Sequence, residues 1–236
     1  MHSFLGEFIG SFLLILFGNG VVANVLLKDS KGQGSGWLVI NFGWAMAVFI
    51  GVYASVKFGG SGHLNPAVTI ASALFTDFKN ELVPVYIAAQ FSGAILGSAF
   101  VWITYKQHYD ATEDASLKLA TFCNTPAIRN SFYNILTEMI GTFALMFGAL
   151  AMSNPTTAFV TLDALPVALL VLAIGLSLGG PTGYAINPAR DLGPRLAHFI
   201  LPIPKKGNSD WGYSWVPVVG PILGATLAAW LFSLIK

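Results

Sequence analysis

The tripeptide Asn-Pro-Ala occurs twice in this chain, each time between a glycine-rich stretch and an apolar run. The two copies are Asn65-Pro66-Ala67 in GGSGHLNPAVTI and Asn187-Pro188-Ala189 in GGPTGYAINPARDLGP. Proline fits the first turn of a helix and asparagine caps the free amides of that turn, so each copy predicts a helix start. The helices that would follow, Pro66–Phe75 and Pro188–Ile200, are too short to cross a bilayer. Short segments of this kind at matching places indicate two half-helices inside a membrane.

The composition is that of a polytopic membrane protein. Hydrophobic residues make up 55% of the 236 residues and charged residues only 10%, whereas a soluble domain carries about 25% charged residues. Six apolar segments are predicted to form spanning helices, each of which needs about 20 residues. They are Phe4–Leu27, Trp37–Val56, Leu82–Tyr105, Tyr133–Met152, Leu165–Leu178, which is predicted to begin earlier, near Ala158, and Tyr213–Ile235. The net charge of +1 gives no basic surface for nucleic acid.

The two halves of the chain repeat each other. LGEFIGSFLLILFG in the first span matches LTEMIGTFALMFGA in the fourth, which pairs Glu7 with Glu138. Because each half contains three spans, the second half must enter the membrane from the opposite side, which makes an inverted repeat. We therefore predict an all-α membrane protein with one channel domain over residues 1–236. Its halves cover about 1–110 and 130–236, and its half-helices meet at mid-membrane.

Glycine pairs recur at matching places in the third and sixth spans. SGAILGS contains Gly93 and Gly97, and VGPILGA contains Gly220 and Gly224. Glycine lets two helices approach closely because it has no side chain to separate them. We expect these pairs to serve helix packing and nothing else.

The longest loop, Lys106–Phe132, concentrates charged residues. They are Asp110, Glu113, Asp114, Lys118 and Arg129. We expect this loop to form a solvated cap over one mouth of a pore.

The glycine-rich leaders before the two Asn-Pro-Ala copies predict a water-filled cavity, because irregular backbone at membrane depth must be buried in protein or line water. Their carbonyl groups would form a ladder of acceptors, and Asn65 and Asn187 would present amide donors where the half-helices meet. The predicted carbonyls are those of Gly62, His63, Leu64, Gly183, Ala185 and Ile186. Both half-helices aim their positive N-terminal ends at one point. This field repels cations and protons and favours neutral solutes.

Arg190 follows the second Asn-Pro-Ala inside the membrane, where a charge is costly unless it faces a cavity or a partner. We interpret Arg190 as a pore-lining donor, the alternative being an arginine that snorkels or is structurally paired. Asp191 is the better candidate for a structural pair, with Arg195 or with a loop.

Glu7 and Glu138 lie in apolar helices at equivalent positions of the repeat. A proton relay would make the protein an active transporter. The alternative, favoured by the two-fold placement, is that each carboxylate accepts backbone amides of a glycine-rich leader and braces its shape. Gln90 in the third span could brace the first leader in the same way.

His63 is interpreted as a loop histidine with a satisfied ring, the alternative being a pH gate. The sequence contains no HExxH, CxxC, Walker or GxSxG pattern, so it suggests no metal site, no cofactor and no enzyme.

With its two Asn-Pro-Ala copies, its glutamate-bearing first and fourth spans and the extended NPARDLGPR, the chain resembles the aquaporin superfamily, the major intrinsic proteins, along nearly its whole length. Asp191 after Arg190, the basic Arg195, and Pro217-Val218 in the last span are similar to the glycerol-facilitator, or aquaglyceroporin, branch. Water-specific members usually carry small residues after the arginine.

The resemblance implies a selectivity filter formed by Trp44, Gly175, Tyr184 and Arg190. Trp44 matches if one extra residue is allowed in Phe58–Gly62. Gly175 would leave room that a water-specific channel fills with histidine. Trp44 and Tyr184 would then face CH groups, and Arg190 would bind hydroxyl groups. Tyr184 differs from the phenylalanine that is usual in glycerol facilitators.

The resemblance thus implies a passive channel that conducts glycerol, water and other small uncharged solutes such as dihydroxyacetone, urea and undissociated lactic acid. The alternatives are a water-selective aquaporin, a proton-coupled secondary transporter and an adhesive protein with a blocked pore. A homotetramer in a bacterial plasma membrane, with both termini cytoplasmic, is also implied. The distribution of Lys and Arg by itself predicts the opposite orientation.

Overall fold

The computed structural model describes residues 2–152 and 164–235, and in these two ranges the secondary structure is helical, without strands. The helices are α1 (His2–Leu26), α2 (Trp37–Lys57), α3 (Pro66–Phe75), α4 (Val83–Thr104), α5 (Lys106–Ala111), α6 (Ala115–Ala120), α7 (Ser131–Met152), α8 (Leu165–Leu178), α9 (Pro188–Ile200) and α10 (Val216–Ile235). A single 3₁₀ turn, Asn80–Leu82, leads into α4.

Five of the six predicted spans and both predicted half-helices are present within the described residues. Five described helices, α1, α2, α4, α7 and α10, are long and apolar enough to cross a membrane. The predicted fifth span is α8, whose predicted start near Ala158 lies outside the described residues. The half-helices α3 and α9 begin at Pro66 and Pro188, as the sequence predicts. The fold is therefore that of an all-α membrane protein with six spans and two half-helices in an inverted repeat.

Glycines bring the first and third span of each half into close contact, as expected from the sequence. The helix α1 packs on α4, and α7 packs on α10. A Cβ atom on Gly97 would lie 2.7 Å from the carbonyl oxygen of Phe12, and one on Gly220 would lie 3.0 Å from that of Ile135. Neither position has room for a side chain, so glycine sets the helix separation.

Each half-helix packs on the last span of the other half. The half-helix α3 lies against α10, and α9 lies against α4. At the second of these contacts, a Cβ atom on Gly193 would lie 2.9 Å from the methyl group of Ala94. This exchange places the starts of α3 and α9 face to face in the middle of the bundle.

The loop Lys106–Phe132 is only partly the solvated cap that we expected. Glu113, Asp114 and Arg129 are exposed, but Lys118 is buried and donates to the carbonyl oxygen of Pro204. The buried apolar side chains of this segment belong to a hydrophobic core shared with α1, α4 and α9. They include Tyr109, Leu119, Phe122 and Cys123. The sequence argument took the charged residues of this segment as a sign of solvent exposure and therefore missed its packed interior.

Candidate functional site

Both half-helices begin in the same way. The Asn65 Oδ1 atom accepts the amide of Ala67 at 2.9 Å. The Asn187 Oδ1 atom accepts the amides of Ala189 at 3.0 Å and of Arg190 at 3.2 Å. These are asparagine N-caps followed by proline at the first helical position, so the local sequence explains the local structure.

The side-chain amide of each asparagine also donates a hydrogen bond to the leader of the other half. The Asn65 Nδ2 atom donates to the carbonyl oxygen of Ile186 at 2.8 Å, and the Asn187 Nδ2 atom donates to that of Leu64 at 2.7 Å. Leu64 and Ile186 have positive φ angles of 50° and 44°, a strained left-handed conformation for such residues. This conformation lets each carbonyl reach the opposite asparagine. An amide group carries two N–H donors, so each asparagine keeps a second donor for a solute.

Glu7 is fully buried and accepts four hydrogen bonds, two of them from backbone amides of the first leader. Its Oε1 atom accepts the amide of His63 at 3.1 Å and the hydroxyl of Ser55 at 3.0 Å. Its Oε2 atom accepts the amide of Leu64 and the Nε2 donor of Gln90, both at 2.8 Å. These are the contacts that the bracing interpretation predicts for Glu7 and for Gln90.

Glu138 stands in the equivalent place for the second leader. Its Oε1 atom accepts the amide of Ala185 at 3.0 Å, and its Oε2 atom accepts the amide of Ile186 at 2.7 Å. A carboxylate that accepts backbone amides stabilises an irregular chain by satisfying donors that would otherwise be buried without partners.

A cavity of about 310 Å³ runs along the two leaders. Its lining includes residues of both leaders, Gly62, His63, Leu64, Ala185 and Ile186, together with Asn65 and Asn187. It also includes aliphatic residues of the spanning helices, such as Val48, Val52, Leu145 and Val171. The cavity therefore offers a solute both polar groups and apolar surface.

A second cavity of about 220 Å³ lies beyond the first, at the side of the segment that follows α6. Gly183 and Thr182 line it together with Cys123 and Asn124. Burial raises the pKa of the Cys123 thiol, which keeps it protonated and unreactive. Of the six predicted carbonyl residues, Gly183 thus belongs to this cavity and the other five to the first.

Trp44, Tyr184 and Arg190 line both cavities, so they lie where the cavities meet. The guanidinium carbon of Arg190 lies 4.2 Å from the centre of the Trp44 ring, within reach of a cation–π interaction. The Arg190 Nη1 atom is buried and has no hydrogen-bond partner within the described ranges. A solute that passes between the cavities is the natural acceptor for this donor.

Asp191 does not pair with Arg190. It forms a fully buried ion pair with Arg195, with 2.8 Å between Oδ1 and Nη2, and it accepts the amide of Asn124 at 2.7 Å. Arg195 in turn donates to the carbonyl oxygens of Ser209 and Asp210. Asp191 therefore fastens α9 to two connecting segments and leaves Arg190 free to face the passage.

The structure differs from our expectation at Gly175. From the sequence we expected the solute to occupy the space beside this glycine, but Gly175 lines neither cavity. A Cβ atom here would lie 2.8 Å from the Cζ atom of Tyr184 and would collide with the Oδ1 atom of Asn41. The space is filled because Tyr184, after a turn at positive φ, lays its ring against α8.

Trp44 occupies a similar notch on α1. A Cβ atom on Gly18 would overlap the Trp44 ring. Glycines thus pack against the rings of Trp44 and Tyr184, the two aromatic residues predicted for the filter, and the sequence argument missed Gly18, Gly179 and Asn41 beside these rings. Their only signal was glycine or asparagine in the interior of an apolar span, which by itself also fits helix packing.

His63 has a satisfied ring. Its Nδ1 atom lies 3.1 Å from the hydroxyl oxygen of Thr69, and its ring packs against Phe78 and Tyr86. Gln90 donates to the same hydroxyl at 3.0 Å. His63 therefore forms part of the hydrogen-bond network that holds the first leader.

Both the sequence and the fold of this chain match known proteins. Residues 1–232 match the sequence model of the family described as Major intrinsic protein. A "Probable glycerol uptake facilitator protein" from Thermotoga maritima is 53% identical over 233 residues, covering 99% of both chains. A "D/L-lactic acid transporter" from Lactiplantibacillus plantarum is 39% identical, covering 98% of this chain and 96% of that one. The X-ray structure of the aquaglyceroporin from Plasmodium falciparum superposes with a TM-score of 0.86 at 30% identity, covering 98% and 95% of the two chains.

Proposed function

The chain belongs to the major intrinsic protein family, and we propose that it is a passive membrane channel for glycerol, water and other small uncharged solutes. The observation that carries this proposal is the mixed lining of the passage, which combines leader residues and asparagines with aliphatic side chains. A linear polyol has hydroxyl groups along one edge and CH groups along the other. It can place its hydroxyls on the carbonyls and asparagine amides of the leaders while its carbons face the aliphatic side chains, so it loses little solvation on entry.

The centre of the passage favours neutral solutes over ions and protons. The N-termini of α3 and α9 meet there, and each contributes roughly half a positive charge. The free donors of Asn65 and Asn187 bind an oxygen atom of the solute, and Arg190 adds a full charge at the constriction. Cations and hopping protons meet an electrostatic barrier, while a neutral solute gains hydrogen bonds.

A proton-coupled transporter is less well supported. Every oxygen of Glu7 and Glu138 already accepts a hydrogen bond from backbone or side-chain donors. A proton relay needs a carboxylate that exchanges protons along the passage, and neither glutamate lines the first or the second cavity.

The same passage suits dihydroxyacetone, urea and undissociated lactic acid, which are small, neutral and rich in hydrogen-bonding groups. The name of the Lactiplantibacillus relative supports the inclusion of lactic acid. The proposal extends to a homotetramer in a bacterial plasma membrane, with one passage per protomer and both termini in the cytoplasm. Native mass spectrometry of the protein in detergent tests the tetramer, and protease access to a terminal tag in intact cells tests the orientation.

Stopped-flow light scattering on proteoliposomes tests the conduction of glycerol. Vesicles that contain the protein should shrink quickly in a glycerol gradient and then reswell quickly, whereas empty vesicles should reswell slowly. Shrinkage without fast reswelling would instead indicate a water-selective channel. Accumulation of glycerol against its gradient would indicate a transporter.

Two variants of α8 show whether the flux uses the described cavity. Val171→Trp places a large ring in the first cavity and should abolish glycerol flux. Leu169→Trp adds the same ring at an exposed position of the same helix and should leave the flux unchanged. Equal flux through both variants, each shown to be folded by gel filtration, would mean that the passage lies elsewhere.

A further inference from the structure

The ring of Tyr184 lies in a groove that two glycines open on α8. Cβ atoms on Gly175 and on Gly179 would both run into this ring. Trp37 closes the other side, with its ring centre 5.8 Å from that of Tyr184 in an edge-to-face arrangement. The groove therefore fixes the plane of the Tyr184 ring, and the hydroxyl group at its end needs a partner of its own.

Asn41 lies at the end of this groove and is buried. Its Nδ2 atom donates to the carbonyl oxygen of Trp37 at 2.8 Å. This bond fixes the orientation of the amide and turns the Oδ1 atom toward Gly175. The Tyr184 hydroxyl lies nearby, since a Cβ atom on Gly175 would lie 3.0 Å from it and would collide with the Asn41 Oδ1 atom.

These two oxygens are both buried and both without a hydrogen-bond partner among residues 2–152 and 164–235. The Tyr184 hydroxyl can donate a hydrogen bond, and the Asn41 Oδ1 atom can accept one. Leaving either of them unsatisfied costs free energy, so pairing them directly or through one shared water is favourable.

We propose that Asn41 is a positioning residue for the predicted selectivity filter. It accepts the Tyr184 hydroxyl, directly or through one shared water, and thereby keeps the tyrosine ring inside the glycine groove. This inference rests on the proposed channel function for its effect on solutes. With its hydroxyl held at Asn41, Tyr184 presents the side of its ring to the passage opposite Arg190. Without Asn41, the hydroxyl gains a partner only by turning into the wet passage, where it narrows the slot for carbon skeletons.

The test compares four proteins in proteoliposomes: wild type, Asn41→Leu, Tyr184→Phe and the double variant. Asn41→Leu should lower glycerol permeability about fivefold relative to water permeability, the equivalent of one hydrogen bond. Tyr184→Phe should keep glycerol permeability at the wild-type value or raise it. Asn41→Leu should have no further effect in the Tyr184→Phe protein, because no hydroxyl remains to be released.

Asn19→Leu is a matched control. Asn19 is also buried in a spanning helix, but its Nδ2 atom donates to the carbonyl oxygen of Phe122 and not to a predicted filter residue. This variant should leave the ratio of glycerol to water permeability unchanged. An equal loss of glycerol permeability with and without the tyrosine hydroxyl would overturn the proposal, and so would the same change of ratio in Asn19→Leu.

Heat stability separates this inference from the proposed function. The unfolding midpoints of the same four proteins in detergent should show coupling between the two substitutions even in a protein that conducts no glycerol. Coupled midpoints without glycerol flux would refute the channel function and keep the Asn41 contact. Additive midpoints would refute the contact whatever the flux.

Discussion

The two half-helices invite comparison because they begin alike and end differently. At their starts, both show an asparagine cap, a preceding residue at positive φ and a glutamate that accepts leader amides. Alignment on Asn-Pro-Ala places Val68, Thr69 and Ala73 of the first opposite Arg190, Asp191 and Arg195 of the second. The repeat therefore preserves the groups that build the centre and leaves the next turn of each helix free to differ.

The residues at these positions make different contacts in the two half-helices. In the first half-helix, the neutral Thr69 is tied to Gln90 of α4 and to His63 of its own leader. In the second, a buried ion pair ties α9 to the segments that follow α6 and α9. The charged residues of the second half-helix thus lie beside the place where the two cavities meet, whereas the first half-helix contributes only neutral groups to the larger cavity.

Loss of the buried ion pair should have the largest effect. Arg195→Leu leaves Asp191 as an unpaired buried charge and should destabilise the protein by about 3–5 kcal/mol. Arg129→Leu is the matched control, since Arg129 also binds a carboxylate, that of Asp210, but at the surface. It should cost about 0–1 kcal/mol. The measurement is the fraction of protein that remains monodisperse in detergent after heating, and equal midpoints for the two variants would contradict the prediction.

The two braces should respond alike to an amide. Each oxygen of Glu7 and of Glu138 accepts one backbone amide, which cannot reverse, so Glu7→Gln and Glu138→Gln each turn an N–H donor toward another donor. Each substitution should cost about 2 kcal/mol. Heating midpoints test this equality, and a clearly smaller loss for Glu7→Gln would show that its side-chain partners, Ser55 and Gln90, rearrange to accept from the new amide.

Much of this architecture follows from the sequence because it is local or repeated. Asn-Pro fixes a helix start within one turn, and the duplication of Glu7 and Glu138 indicated a shared role. The contents of the space beside Gly175 did not follow, because that space depends on the backbone angle at Tyr184 and on Asn41 of another helix. The buried position of Lys118 was missed for the same reason, since its partner lies on the distant segment after α9.

Replacing Arg190 by valine, the residue at the equivalent position of the first half-helix, should weaken selectivity against protons. Arg190→Val copies Val68, which lines the first cavity, and removes the positive charge where the two cavities meet. We expect glycerol to pass still, while proton leak rises about tenfold, which corresponds to about 1.4 kcal/mol of barrier. A pH-sensitive dye inside vesicles measures the leak. Val68→Ala, which enlarges the cavity without changing its charge, should not leak, and a leak in both variants would indicate a purely steric barrier.

The smallest predicted effect concerns the far ends of the half-helices. Lys206 donates to the carbonyl oxygens of His198, Phe199 and Leu201, each at 2.7 Å, and so places a cation at the negative end of α9. The last turn of α3 contains no basic residue. Lys206→Met should cost about 1 kcal/mol, while Lys205→Met, at the exposed neighbouring position, should cost nothing measurable. If heating midpoints fell equally for the two, the cation at Lys206 would be acting through general surface charge and not through the helix end, and the asymmetry between the half-helices would be confined to their first two turns.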